Sequence, residues 1–94
     1  NVTITMKNLG STTWSRRESY KLGAVDDSDP FSPPRRLIGR VATIGPEQSW
    51  TFRFKMVAPA APGNYVTDWQ MLREGIERFG PALVVPVRVL PPAP

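Results

Sequence analysis

Residues 64–80, NYVTDWQMLREGIERFG, alternate with period two as far as Leu72 and then break at a glycine. Successive side chains of a strand point to opposite faces, so Tyr65, Thr67, Trp69 and Met71 share one face and Val66, Asp68, Gln70 and Leu72 the other. The break, LREGI, fits a three-residue hairpin loop with Gly75 in the left-handed conformation, returning the chain into a strand over 76–79. This reading makes Trp69 a core residue and leaves the charged turn beyond it in water.

The same period recurs on both sides of this hairpin. SWTFRFKMV sets Trp50, Phe52, Phe54 and Met56 against Thr51, Arg53 and Lys55, and NVTITMKN sets Val2, Ile4 and Met6 against Thr3, Thr5 and Lys7. ESYKLG and RLIGRVATI read as further strands. In LVVPVRVL, Val85, Val87 and Val89 share a face, while Pro86, which has no N–H to donate, points to an edge position or a non-bonded site. Turn chemistry falls between these segments: Asn8 and Gly10 in NLGSTT, Pro46 at the second turn position in IGPEQ, and Pro62-Gly63, which fits a type II turn. No stretch has a helical period and no repeat is visible. About seven short strands predict an all-β fold, a two-sheet antiparallel β-sandwich.

The 94 residues suit one domain, expected over residues 1–90. PPAP at 91–94 reads as a proline-rich linker, and the abrupt start inside an alternating segment suggests a domain excised from a longer chain. Twelve Lys and Arg against eight Asp and Glu give a net charge of +4. The bases are scattered along the chain, so they read as a solvated surface; no nucleic-acid partner is expected. The longest apolar run, residues 82–87, is far below the roughly 20 residues of a membrane span, so no membrane insertion is expected.

With neither His nor Cys, the chain cannot form a Ser-His-Asp triad, a Cys-His pair, a thiolate site or a His-ligated metal site. Glu74 and Glu77 flank the hairpin turn, but acid/base chemistry needs a cleft that desolvates one carboxyl, and the plainer reading is that they solubilise the turn. No enzyme, no cofactor and no metal are expected. The sharpest metal candidate is VDDSDP, where Asp26, Asp27 and Asp29 could ligate calcium; the same residues are equally good turn chemistry.

Trp14, Trp50, Phe52, Phe54, Tyr65, Trp69 and Phe79 are assigned to the core. Phe31, between Pro30 and Ser32 in a long polar loop, either anchors a partner or a sugar, or folds down into the interior. The exposed candidates for partner binding are therefore Phe31 together with Arg73, Glu74, Glu77 and Arg78 around the hairpin turn.

NLGSTTW (8–14), APAAPGNYVTDWQM (58–71) and FGP (79–81) together resemble the four-tryptophan (FW) Ig-like domain of selective-autophagy cargo receptors, and more closely its bacterial relatives. The motif positions are Asn8, Gly10 and Trp14, then Pro62, Gly63, Tyr65 and Trp69, then Phe79 and Gly80. Two of the family's tryptophans are missing, at the region of Phe31 and near Val84, and Trp50 has no counterpart. The resemblance implies an immunoglobulin-like sandwich that acts as an accessory module in a multidomain bacterial protein, secreted or in the cell envelope. Such a module binds a protein partner or spaces neighbouring domains, with strand addition at the Pro86-bearing edge as one binding mode. The alternative is a carbohydrate-binding module that targets a linked glycan- or cell-wall-active enzyme.

Overall fold

The computed structural model describes residues 1–91; residues 92–94, three of the four in the expected linker, lie outside it. The described residues form eight strands: β1 (Val2–Lys7), β2 (Trp14–Ser15), β3 (Tyr20–Ala24), β4 (Arg35–Leu37), β5 (Thr43–Ile44), β6 (Ser49–Phe54), β7 (Gly63–Arg73) and β8 (Glu77–Val89). A single 3₁₀ turn, Val25–Asp27, follows β3, and no α-helix forms among the described residues. All pairing is antiparallel: β1 with β6, β2 with β5, and a four-stranded sheet in the order β4-β3-β7-β8. The result is an all-β, immunoglobulin-like sandwich.

Register follows the alternation. Ile4 lies opposite Phe52 and Val2 opposite Phe54 on the inner face, while Thr5 and Thr51, opposite each other on the outer face, share a 2.8 Å hydroxyl hydrogen bond. On the facing sheet Leu22 pairs with Met71 and Ala24 with Trp69. These residues meet Trp14, Ile38 and Ile44 in one core, in which Trp69, Leu22 and Ile38 are completely buried. Full burial of side chains this large is the main favourable term in a domain of this size.

The β7–β8 connection is the expected hairpin. Arg73 pairs with Glu77, the Ile76 N–H donates to the Arg73 carbonyl at 3.0 Å, and Gly75 has φ +77°, a left-handed conformation that glycine adopts without steric cost. The return strand differs from expectation. Residues 76–79 and 83–90 read as two strands, whereas β8 is one strand of 13 residues. Phe-Gly-Pro interrupts it with a bulge opposite Trp69–Met71, where Gly80 has φ +72° and its carbonyl accepts from Gln70 Nε2 at 2.7 Å. Conversely, RLIGRVATI divides into β4 and β5.

Trp14, Phe52, Phe54 and Trp69 are buried, whereas Trp50, Tyr65 and Phe79 are half-buried. Tyr65 lies on the first half of β7, beyond the end of β3, where β7 pairs with β8 alone, and its hydroxyl donates to the Ala61 carbonyl at 2.7 Å. Phe79 packs at the margin against Trp14 and Tyr20, with ring centroids 6.0 and 5.9 Å away. Leu72 departs in the other direction. It sits on the outer face opposite Lys21 yet is 2 % exposed. Its side chain folds over Gly23, where a Cβ would lie 2.3 Å from Leu72 Cδ2.

Candidate functional site

The hairpin turn carries the four charged residues read as partner-binding, and strand alternation divides them between two faces. Arg73 and Glu77 are opposite each other on the inner side, while Arg78 lies opposite Leu72 on the outer side. Arg73 lies over the Tyr20 ring, 5.3 Å from its centroid, and donates to the Glu18 carboxylate and carbonyl, both at 3.0 Å. It is therefore a strap across the β2–β3 connection rather than a free cation. Glu77 and Ile76 remain exposed at the tip.

On the outer face Glu74 and Arg78 join an ordered charge network. Arg35, projecting from β4, donates from Nε to Glu74 at 3.0 Å and from Nη2 to Asp27 at 2.5 Å. Lys21 reaches Glu74 at 3.4 Å, and Arg78 reaches Asp27 at 2.6 Å. The hydrogen bond from Arg35 and then its charge, with Arg78 adding to both, hold the Asp27 carboxyl below its ordinary value. Arg35 does the same to Glu74, helped by Lys21, and the Glu74 hydrogen bond in turn raises the Arg35 guanidinium. The network lies over buried Leu72, a patch of mixed charge on the face that the hairpin extends.

Phe31 takes the inward alternative. It is 7 % exposed and meets Tyr65 edge to face, with centroids 5.8 Å apart. The reading of Phe31 as an exposed anchor is thereby corrected: its loop is pulled down by Asp29, whose Oδ2 accepts from the Phe31 N–H at 2.9 Å and whose Oδ1 accepts from the Thr67 hydroxyl at 2.7 Å. Thr67 Oγ in turn accepts from Trp69 Nε1 at 2.8 Å, so one relay ties the loop to the centre of the core. Of the three loop aspartates weighed for calcium, Asp29 faces Thr67 and Asp27 faces two arginines. Among the described residues no group of three acidic or other ligating side chains converges on a metal position.

Two features lay beyond the sequence reading. Asn8 is 1 % exposed, and its amide clamps three backbone groups: Nδ2 donates to the Thr12 and Ile44 carbonyls at 2.7 and 2.9 Å, and Oδ1 accepts from the Gly10 N–H at 3.0 Å. The turn residue is thus a buried brace. The sandwich also has two open sides. One groove, about 650 Å³, runs between β1 and β8 over Trp14, Tyr20, Met71 and Phe79. The other, about 670 Å³, runs between β4 and β6 and carries Arg36, Arg53 and Trp50. Periodicity assigns faces to residues but says nothing of which sheet edges stay unpaired, so neither groove was visible in it.

Among the described residues no helix is long and apolar enough to cross a membrane. No curated protein and no solved structure is significantly similar to the chain. A family model described as the Ig-like domain from next to BRCA1 gene matches residues 1–89, nearly the whole of the sandwich and both arms of the hairpin, and the chain belongs to that family.

Proposed function

We propose that this chain is a non-catalytic Ig-like accessory module, spanning residues 1–90 of a larger, multidomain protein, that binds a protein partner or neighbouring domains. The observation that carries this reading is the disposition of the aromatics: all nine are buried or half-buried, so the pair of exposed, coplanar rings that a sugar platform needs is not formed. What the surface offers is protein-like recognition chemistry, namely free sheet edges and an ordered charged patch around Glu74 and Arg78. The lack of His and Cys and the engagement of Asp27, Asp29 and Glu74 in ion pairs and hydrogen bonds support a role without catalysis. The motif positions shared with four-tryptophan domains support the same reading, with bacterial accessory modules as the nearer relatives and a secreted or envelope location.

A photo-crosslinking residue at Ile76, the exposed tip of the hairpin, tests this in the full-length protein. The expected result is a discrete adduct with a protein chain, reduced by the charge reversal Glu77→Arg at the exposed tip. Absence of any protein adduct, together with retention of the domain on insoluble glycan, would replace this reading with the carbohydrate-binding one.

A further inference from the structure

We propose that the groove between β4 and β6 is a docking site for an acidic, extended segment of a protein partner, an inference that rests on the protein-interaction reading above and assigns it a surface. Three arginines line this groove, Arg35, Arg36 and Arg53, and no acidic residue does. Arg35 is already committed to Asp27 and Glu74. Arg36 and Arg53 are in no ion pair among the described residues. The Arg36 guanidinium lies over the Phe54 ring, 4.5 Å from its centroid, and its Nε is buried without a hydrogen-bond partner. A buried donor left unpaired is costly, and a guanidinium outside any ion pair is the side chain best suited to receive a planar carboxylate.

The walls define the form of the occupant. Among the described residues β6 pairs with β1 on one side only, and β4 is the outer strand of its sheet, so each leaves one edge without a strand partner there. Such an edge offers a row of backbone donors and acceptors to an incoming extended chain. Trp50 supplies an apolar wall, held so close to Gly39 that a Cβ there would lie 2.9 Å from its Cη2. An added strand turns alternate side chains to opposite sides. Side chains on its inner side would then meet Arg36 and the Trp50 indole, and those on its outer side Arg53, so the segment carries carboxylates on both sides and apolar residues on the inner one. Phosphate or a single free carboxylate would meet the arginines but neither the edge nor the indole.

The test is fluorescence polarisation of the domain with a labelled octapeptide of glutamate carrying valine at its third and seventh positions, against the counterpart with lysine in place of glutamate, at low and at physiological ionic strength. The glutamate peptide binds saturably and more weakly as salt rises, and the lysine peptide does not bind. Arg36→Met, which keeps an unbranched side chain and removes the charge, and Arg53→Gln, at an exposed position where folding is not at stake, each weaken binding by about tenfold or more. Equal binding of the two peptides overturns the proposal, as does binding that neither substitution changes; in the latter case the interaction reading stands and its surface lies elsewhere. No binding of either peptide also overturns it, and only adsorption of the domain to glycan would defeat the interaction reading as well.

Discussion

Replacing Thr67 by valine tests the relay from Trp69 through Thr67 to Asp29. Valine keeps the β-branched shape in the strand, so packing and backbone preference change little, and what is lost is one hydroxyl in a site 6 % exposed. That hydroxyl accepts from Trp69 Nε1 at 2.8 Å and donates to the Asp29 carboxylate at 2.7 Å. Its removal strands an indole N–H in the interior, at about 1–3 kcal/mol, and deletes a hydrogen bond to a charged group, at about 1.5–3 kcal/mol. Allowing for overlap between these, Thr67→Val should cost about 2–4 kcal/mol out of a total stability of roughly 5–10 kcal/mol. At about 4–8 °C per kcal/mol, the midpoint falls by roughly 8–32 °C. Urea and thermal unfolding, followed by far-UV circular dichroism, measure both quantities. Thr67→Ser, which keeps the hydroxyl and loses only a methyl, should cost about 1 kcal/mol. If Thr67→Val were no more destabilising than Thr67→Ser, the relay would not hold the loop of Phe31 to the core.

The turn after β5 and the outer charge network give two further expectations. Glu47 has φ +69° in a turn closed by Gln48 N–H on the Gly45 carbonyl, so Glu47→Gly should gain up to about 1 kcal/mol in urea unfolding; the lost Lys7–Glu47 pair is exposed and adds little. Asp27 and Glu74 titrate below their ordinary values in the folded state, so the stability they contribute is complete above the ordinary carboxylate range, about pH 4, and is lost as the pH falls through the folded values. Arg35→Gln should therefore flatten the fall of the melting temperature on the acid side and leave a smaller dependence on salt; an unchanged acid limb would mean that the network is not formed in solution.

The strands legible in the sequence were those long enough to show their period. β1, β6 and β7 each carry at least three inward apolar residues, and the Gly75 hairpin follows from a loop chemistry with few alternatives. β2 and β5 are two residues each, too short for any period, and exist because tertiary contacts bring Trp14 opposite Ile44. β8 looked like two strands because Gly80-Pro81 reads as a break, whereas the left-handed Gly80 makes a bulge that keeps both halves paired with β7. The site was less legible than the fold. Arg73, Glu74 and Arg78 were singled out by position on the turn, but that Arg73 lies over Tyr20, and that Glu74 and Arg78 meet Asp27 and Arg35, depends on the four-stranded sheet. Phe31 sits in a loop without period, and only the reach of Asp29 to Thr67 decides its inward course. Arg36 reads as surface charge in a run of two arginines; its place over Phe54 comes from the meeting of two sheets.

On the proposed function, the aromatic side chains of this domain maintain its fold and its partner is a protein. Cosedimentation of the folded domain with insoluble cellulose, chitin and peptidoglycan is the decisive measurement, because Trp50, half-buried at a groove, is the aromatic best placed to meet a sugar ring. The domain is predicted to stay in the supernatant with all three. Saturable retention on any of them, abolished by Trp50→Ala while the melting temperature holds, would contradict it.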